Sequence, residues 1–483
     1  MSFSRTIWII IIFMAAAILF VVRAYSFTTN LQFDSDSGRD SLFALRILDG
    51  NPTLLGPAAS VGGFYLGPLL YYFLAILYLL FGLNLYAISL TYIVMGVTAV
   101  ALGCWLQRTY ISRNASVIFF LVAATSLPLV TASQSATNQP MMPLVTIVFL
   151  AVYLAGLKKN SLRFDTVTGM VFGLFLHIHF SALLIFIPLV PLFFWQATGN
   201  FKRKILHFSM LVIGMLLMIL PLLVFDIRHN FITTRSLLGY AQETISGSLL
   251  SDTRPHLTFL EKMQLSGEQL TPALPLTVVG LLVGVAASLR KSRLIASQYF
   301  QTLLVLSLGS FLLVLSYNGY IFPYYVLIPA TIWLLLFATL LAQLRPKFLG
   351  IFLATVMSLL SFSRLTYNDK FRTVKNLSQI TAVIEQDIKE TKPENFTIFK
   401  DSSDQMTGLG YEYRFLLARD NFVPHSEYAY ENAAVLYYIR EEGNADPLMS
   451  THWETTQFGA TKSQLIAEPK IHANTISIFR LTK

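Results

Sequence analysis

Long apolar runs recur along the 483-residue chain, and short polar stretches separate them. Runs of this length predict membrane-spanning helices, because about 20 apolar residues cross the hydrocarbon core of a bilayer. The predicted spans lie near 7–24, 86–107, 115–131, 141–157, 166–180, 181–197, 205–225, 273–289, 298–316, 321–343 and 348–363. The first run is too long for a signal peptide and lacks a clear cleavage site, so we interpret it as an uncleaved span.

A further apolar run, 68–82, is either a twelfth span or a helix that lies in the membrane interface. Basic residues favour the interfacial helix, because cytoplasmic loops of membrane proteins carry an excess of Lys and Arg. With 68–82 in the interface, the loop of Arg108 and Arg113 falls on the cytoplasmic side. The same choice puts the basic clusters at 158–163, 202–204, 290–293 and 343–347 on that side. The opposite helix ends are then extracytoplasmic.

The C-terminal part of the chain has a different pattern. Residues 376–390 and 411–420 have helical spacing, whereas 396–400 and 476–481 are typical of strands. These elements predict a small extracytoplasmic α/β domain over 365–483. A membrane domain, 1–364, precedes it, and the first extracytoplasmic loop of that domain is predicted to cover 25–85.

Composition supports this division. Hydrophobic residues make up 54% of the chain and charged residues 13%, and the mean hydropathy is +0.59. Residues 1–364 contain 22 Lys and Arg against 10 Asp and Glu, whereas residues 365–483 contain 13 against 16. The membrane part therefore carries the positive charge, as expected for loops beside anionic lipids. No nucleic-acid-binding module is recognisable, so we expect no nucleic-acid partner.

One short stretch, 33–50, holds four of the ten acidic residues that precede position 365. Asp34, Ser35 and Asp36 are favourable N-cap residues and Gly50 is a favourable stop, so a short helix is predicted between them. Residues four apart share a face of a helix, so Asp36 and Asp40 lie on one face with Arg39 between them. A solvated acidic loop accounts for the charge but not for this placement directly after the first span.

The sequence here resembles a known family. The stretch "DSGRDSLFALRILDG" (36–50), followed by "LLGP" and "GGFYLGPLLYYFLAILYLLFG" (62–82), resembles the first extracytoplasmic loop of GT-C glycosyltransferases. These membrane enzymes are related to protein O-mannosyltransferases and to the bacterial lipid A aminoarabinose transferase. "FDIRHNF" (225–231) and "YIFPYYVLIP" (320–329) are similar to segments of the bacterial branch. Where some relatives have Lys-Pro-Pro, this chain has Gly67-Pro68, so the role of that lysine does not carry over.

The resemblance implies a fold and a reaction. The fold is a polytopic α-helical membrane protein of GT-C type, with about eleven transmembrane helices, extracytoplasmic interfacial helices and a small C-terminal α/β domain. The reaction is transfer of a single sugar from a polyprenyl-phosphate donor to an acceptor hydroxyl, usually with inversion. It implies a lipid, glycan or protein acceptor on the extracytoplasmic side of the plasma (inner) membrane. A transporter or lipid flippase, and a surface-polysaccharide ligase or polymerase, are the alternatives.

The first group of candidate residues is acidic. Glycosyl transfer in a single displacement needs a base for the acceptor proton. Asp36 matches the catalytic aspartate of the family, and Asp40 would orient the sugar or hold Arg39. Asp34 is the competing base, and helix capping is the competing explanation for Asp34 and Asp36.

The second group is cationic. The departing phosphate favours arginine, because a planar guanidinium matches the phosphate oxygens. Arg39, Arg228, His229 and Arg235 are the candidates for binding the donor phosphate. Contact with lipid headgroups at a helix end is the alternative for the last three.

The third group could line the substrate cavity and consists of Tyr65, Asn138, His179, Tyr324 and Tyr325. Tyr320 belongs beside the last two, and ordinary turn chemistry or an interfacial aromatic belt is the competing explanation. His177 and His179 are two residues apart and point to different faces of a helix, so we predict no metal site there. No cofactor is implied with certainty, and assistance by a divalent metal stays open.

Overall fold

The computed structural model describes most of the chain. The described residues are 5–25, 27–59, 62–246, 257–270, 284–285, 288, 292–318, 321–365, 371–402, 408–443, 446–471 and 474–483. The predicted span 273–289 lies largely outside these residues, and so does Tyr320.

Helices dominate the described residues. They are α1 (Arg5–Ala24), α2 (Phe27–Asn30), α3 (Ser35–Leu48), α4 (Leu69–Phe81), α5 (Leu85–Tyr110), α6 (Arg113–Ala124), α7 (Leu127–Ser133), α8 (Met141–Lys159), α9 (Leu162–Ile178), α10 (Leu183–Gln196), α11 (Phe201–Met218), α12 (Leu220–Arg228), α13 (Ile232–Ser246), α14 (Phe259–Leu270), α15 (Ser292–Ile295), α16 (Gln298–Ser316), α17 (Leu327–Leu341), α18 (Lys347–Ser363), α19 (Val374–Thr391), α20 (Tyr411–Arg419) and α21 (Trp453–Phe458). The strands are β1 (Phe396–Asp401), β2 (Val435–Arg440), β3 (Lys462–Ala467), β4 (Lys470–Ile471), β5 (Asn474–Thr475) and β6 (Ser477–Thr482).

The chain divides into two compact units, each assembled from separate stretches of sequence. The first unit contains Met1–Tyr25, Thr53–Leu70 and Ser89–Thr366. The second contains Ser26–Pro52, Tyr71–Ile88 and Tyr367–Lys483. The acidic stretch therefore belongs to the same unit as the C-terminal residues. The division into domains at 364/365 stays a prediction.

Several helices of the described residues can cross a membrane by length and composition. Four do so alone, namely Leu85–Tyr110, Met141–Lys159, Gln298–Ser316 and Pro323–Leu341. Two bent pairs, α6 with α7 and α11 with α12, raise the number to six, with bends of 62° and 71°. The predicted spans 115–131 and 205–225 each correspond to one bent pair. The expected total of about eleven spans stays a prediction.

Helix α4 covers most of the ambiguous segment 68–82. Its 13 residues rise about 20 Å, whereas a bilayer core is about 30 Å thick. This length agrees with an interfacial helix, which stays our prediction for this segment.

Small residues and one buried arginine shape the first unit. Helices α9 and α11 cross with their backbones in contact, because a methyl group at Gly169 would lie 2.7 Å from the carbonyl carbon of Leu211. Arg23 is fully buried and donates to the carbonyls of Ala123 and Ala124, at 3.2 and 3.4 Å. These are the last residues of α6, so the guanidinium satisfies carbonyl groups that the break before α7 leaves without helical partners.

The second unit contains a four-stranded sheet in the order β1-β2-β6-β3. Strands β1 and β2 are parallel, and α20 lies between them in sequence, whereas β6 is antiparallel to both of its neighbours. The predicted helices at 376–390 and 411–420 and the predicted strands at 396–400 and 476–481 are confirmed as α19, α20, β1 and β6. The sequence analysis missed β2 and β3.

Candidate active site

Helix α3 begins at the acidic stretch because Asp34 caps it. The Asp34 carboxylate accepts hydrogen bonds from the backbone N–H of Ser37 at 2.9 Å and from its hydroxyl at 2.7 Å. Burial raises the pKa of Asp34, and repulsion from Asp36 adds to the rise. The helix ends before Gly50, whose φ of +86° suits a residue without a side chain. Of the candidate bases, Asp34 is therefore the one engaged in capping.

The buried face of α3 consists of small and polar residues. Its fully buried positions are Ser35, Ser37, Gly38, Asp40, Ser41 and Ala44. Leu42, Leu45 and Ile47 are only half-buried. The helix therefore packs closely through its small residues and not through its leucines.

Asp36, Arg39 and Asp40 form one connected group that extends from the exposed side of α3 to its buried side. Arg39 donates from Nη1 to Asp36 Oδ1 at 2.8 Å, and from Nε and Nη2 to Asp40 Oδ1 at 2.9 and 2.8 Å. The Asp36 side chain is 56% exposed, that of Arg39 20% and that of Asp40 4%. The group thus has an accessible carboxylate at one end and a buried one at the other.

Burial and neighbouring charges have opposite effects on the pKa values of Asp40 and Arg39. Burial raises the pKa of Asp40 to about 7, although the adjacent Arg39 opposes the rise. Burial also disfavours the charged form of Arg39, but Asp40 and Asp36 outweigh it and raise the pKa of Arg39 above its usual range. Arg39 is therefore always charged, and Asp40 titrates near neutral pH.

Two aromatic residues line this group, and sequence reasoning did not assign either to the site. The rings of Phe43 and Tyr71 stack with centroids 4.9 Å apart. The Tyr71 hydroxyl lies within hydrogen-bonding reach of Arg39. Tyr71 follows Gly67-Pro68 in the family-like stretch, but no local pattern indicates which of its many aromatic residues turns toward α3.

In the first unit, four predicted cavity residues lie around the end of α9. Asn138 donates to the carbonyl oxygen of Ile178 at 2.5 Å. The ring of His179 packs against Tyr324 and Tyr325, with centroids 5.5 and 4.9 Å away. His179 Nδ1 accepts from the backbone N–H of Ser181 at 3.0 Å. Asn138, His179, Tyr324 and Tyr325 are thus connected through one turn.

His177 has a structural environment beside the Gly67-Pro68 element. Its Nδ1 accepts from Leu69 N–H at 3.3 Å, and its Nε2 lies 2.8 Å from the carbonyl oxygen of Met218. A methyl group at Gly67 would lie 2.7 Å from His177 Cγ, so the glycine lets the loop approach the ring. The adjacent candidate Tyr65 is half-buried and forms a backbone bridge with Ala58.

The segment "FDIRHNF" forms a corner between α12 and α13. Buried Asp226 accepts from the backbone N–H groups of Thr233 at 2.7 Å and Thr234 at 3.1 Å, which caps α13. Arg228, His229 and Arg235 are exposed around this corner. The His229 ring stacks on Phe225 with centroids 4.0 Å apart.

The predicted site residues are therefore distributed between the two units. Asp34, Asp36, Arg39 and Asp40 lie in the second unit. The other candidates lie in the first, namely Tyr65, Asn138, His179, Arg228, His229, Arg235, Tyr324 and Tyr325. Within the described ranges, no three His, Cys, Asp or Glu residues are grouped as metal ligands.

Comparison with known proteins identifies the fold. The sequence matches no family model and no curated protein. The structure is similar to the crystal structure of ArnT from Cupriavidus metallidurans bound to undecaprenyl phosphate, with a TM-score of 0.63 and 12% identity, over 98% of both chains. The apo form of the same ArnT matches with a TM-score of 0.62 and 11% identity, again over 98% of both chains.

The protein therefore has a GT-C fold and is a multi-pass membrane protein. In particular, its similarity to ArnT extends along nearly the whole length of both chains. This confirms the fold that the sequence resemblance implies.

Proposed function

We propose that the protein is a membrane glycosyltransferase. It transfers a single sugar from a polyprenyl-phosphate donor to an acceptor hydroxyl of a lipid, glycan or protein. The distribution of basic residues supports a plasma (inner) membrane location with the reacting groups on the extracytoplasmic side. The observation that carries the proposal is the Asp36–Arg39–Asp40 group on a GT-C fold. The ArnT structure with the same fold contains undecaprenyl phosphate, which supports a lipid-phosphate donor.

Asp36 is the proposed base because its carboxylate is accessible to an acceptor and is oriented by Arg39. Its carboxylate is the most exposed of the group, and Arg39 holds one of its oxygens at 2.8 Å. The acceptor oxygen attacks the anomeric carbon, and the bond between that carbon and the phosphate oxygen breaks. The bonding electrons leave with the phosphate, and Asp36 takes the acceptor proton. The products are the glycosylated acceptor and polyprenyl phosphate.

Arg39 and Asp40 are proposed to support this step. Three of the five N–H groups of Arg39 donate to the two carboxylates, and the Tyr71 hydroxyl lies within reach of the same guanidinium, so at least one N–H group is left for a substrate oxygen. Exposed Arg228, His229 and Arg235 are the proposed additional contacts of the donor phosphate. Tyr65, Asn138, His179, Tyr324 and Tyr325 are proposed to line the path of the donor.

Native mass spectrometry tests the donor class. The probes are undecaprenyl phosphate and undecaprenyl-phosphate-linked mannose, glucose and 4-amino-4-deoxyarabinose, added to purified wild type and Asp36→Asn. We expect one lipid-linked sugar to bind at 1:1 and to accumulate on Asp36→Asn, since the variant binds but turns over slowly. Undecaprenol, which has the same chain without the phosphate, is the matched control. Equal retention of undecaprenol, or binding of ordinary phospholipids alone, would contradict the proposal and favour a transporter.

The transfer rate is expected to depend on pH through Asp40. Below pH 7 the Asp40 carboxyl is protonated, since burial raises its pKa to about 7. Arg39 then loses its ion pair with the Asp40 carboxylate, and the position of the guanidinium that binds Asp36 changes. We therefore expect kcat to rise from pH 6 to pH 8 with a midpoint near 7. The measurement is kcat of wild type and Asp40→Asn across this range.

In Asp40→Asn the midpoint near pH 7 should disappear and the rate should stay low. An unchanged midpoint in this variant would assign the titration to a different group. Asp49→Asn is the control, because Asp49 is exposed beyond the end of the same helix.

A further inference from the structure

Gly38 brings α3 into backbone contact with the first turn of α20, and both helices belong to the second unit. A methyl group at Gly38 would lie 2.5 Å from the carbonyl carbon of Tyr411 and 2.6 Å from Cα of Glu412, with the backbone nitrogen of Glu412 nearer still. Real Cβ atoms do not approach backbone atoms so closely. Any larger residue at position 38 must therefore move one helix away from the other.

Gly38 lies on the side of α3 opposite to the reacting groups. Successive residues of a helix are separated by about 100° around its axis, so Gly38 is about 200° from both Asp36 and Asp40. If α3 moves away from α20 as a rigid helix, Asp36 and Asp40 therefore move farther from α20 with it. The separation of the two helices at Gly38 thus determines the distance of Asp36 and Asp40 from α20.

A second contact holds the strand-like segment that leads into α3. Phe33 N–H donates to the carbonyl oxygen of Arg372 at 3.1 Å, and Val374 N–H donates to that of Leu31 at 2.9 Å. Gln32 and Thr373 form the antiparallel bridge between these bonds. The Phe33 ring also packs on Phe415 of α20, with centroids 5.5 Å apart. The start of α3 is therefore held by the segment before α19 and by Phe415 of α20, the helix that Gly38 contacts.

A buried charge cluster holds the first turn of α20 in place. Glu412 Oε1 accepts from Arg372 Nη1 at 2.6 Å and from Lys400 Nζ at 2.8 Å. The side chains of Glu412 and Lys400 are fully buried. Arg372 also donates to Glu441 at 2.5 Å, and Tyr413 donates to Glu441 at 2.6 Å. Two cations and two carboxylates thus balance, and they connect β1 and the segment before α19 to α20.

We propose that the first turn of α20 is a positioning element for the transfer reaction, with Glu412 holding that turn against Gly38 so that Asp36 and Arg39 project to the reacting distance. This inference rests on the proposed function. Neither Gly38 nor Glu412 touches the substrate. Their effect passes through α3, and a displacement of about 1 Å at reacting groups can lower a rate about 100-fold.

The first test is Gly38→Ala in the full-length protein. The readout is release of undecaprenyl phosphate from the donor that the binding experiment identifies, in membranes that contain the acceptor. We expect kcat to fall about 100-fold, while KM for the donor and donor occupancy in native mass spectrometry change much less, because the other proposed phosphate contacts, Arg228, His229 and Arg235, do not lie on α3. Gly239→Ala is the matched control, because a methyl group at Gly239 meets nothing within 4 Å. Its kcat should equal that of wild type.

A second pair of variants covers the case in which Gly38→Ala does not fold. Glu412→Gln keeps the shape but removes the charge that Arg372 and Lys400 share, whereas Glu412→Asp keeps the charge without adding volume. We expect Glu412→Gln to lower kcat at least about tenfold with little change in donor KM, because the first turn of α20 is then held less firmly. Glu412→Asp should lower kcat less, because it keeps the charge.

The outcomes separate this inference from the proposed function. An inactive wild type that binds no lipid-linked sugar would overturn the proposed function. An active wild type with unchanged kcat in Gly38→Ala, or in both Glu412 variants, would overturn the positioning role alone. A rise in donor KM without a fall in kcat would also overturn it, because the contact would then serve binding.

Discussion

Asp36→Asn is expected to lower kcat for sugar transfer by about 10²- to 10⁴-fold, the usual contribution of a general base. Asparagine keeps the shape of the side chain but cannot take the acceptor proton. The ion pair that it loses with Arg39 is exposed at its Asp36 end, and an exposed pair contributes at most about 1 kcal/mol to stability. The protein should therefore stay folded and bind its donor. The measurement is kcat and donor KM in the assay that follows undecaprenyl phosphate release.

Two further substitutions distinguish base catalysis from a general effect of charge. Asp49→Asn removes an exposed carboxylate just after the same helix, and its kcat should stay within about twofold of wild type. Asp34→Asn keeps the oxygen that caps α3, because Asn and Asp are about equally favourable N-caps, so it should change both stability and kcat little. If Asp36→Asn kept more than half of the wild-type rate while Asp34→Asn lost nearly all of it, the base would be Asp34.

Arg414→Met is expected to cause the largest loss of stability, about 3 kcal/mol or more. Arg414 is buried and donates to the carbonyl oxygens of Leu409, His425 and Ile398, each at 2.7 Å. It also donates to Thr397 Oγ1 and to the Tyr430 hydroxyl, each at 2.9 Å. Methionine fills similar space but removes all five hydrogen bonds; the carbonyl of Ile398 keeps the Tyr430 hydroxyl as a donor, whereas those of Leu409 and His425 lose the Arg414 donor. Each buried polar group that loses its partner costs about 1–3 kcal/mol.

The stability measurement is the apparent Tm, together with hydrogen exchange of the amides in β1 and β2. Arg419→Met is the control, because Arg419 pairs with Asp420 at the surface of the same helix. Such a pair contributes at most about 1 kcal/mol. Arg414→Lys tests the cause, since lysine keeps the charge but cannot reach acceptors on several sides. Wild-type stability of Arg414→Lys would show that charge, and not the hydrogen bonds, is what β1 requires.

Burial also separates the roles of the two carboxylates bound to Arg39. Asp36 and Asp40 are equivalent in the sequence pattern, because both lie on one face of a predicted helix. In the structure, Asp36 is 56% exposed and Asp40 only 4%. Only the exposed carboxylate can meet an acceptor without a rearrangement of α3, which is why we propose Asp36 as the base and Asp40 as its support.

Local periodicity determined a large part of this fold. Within the described residues, the apolar runs predicted helices that are observed, and the spacing of 376–390 and 396–400 predicted α19 and β1. The bends at the ends of α6 and α11 were not predictable from hydropathy, because an apolar run continues across each break. At the first break the carbonyls of Ala123 and Ala124 find their partner in Arg23, which is about 100 residues away in sequence.

The sequence by itself determined that a helix begins at Asp34, Ser35 or Asp36 and that Asp36, Arg39 and Asp40 share one side of it. These features depend on residues within about one helical turn, where helix geometry determines which side chains are neighbours. Only the tertiary structure decided which carboxylate is buried, that Tyr71 joins the group and that α3 packs on α20 through Gly38. These contacts join residues as far apart as Gly38 and Glu412. No local pattern specifies such a pair, because it depends on how the whole chain packs.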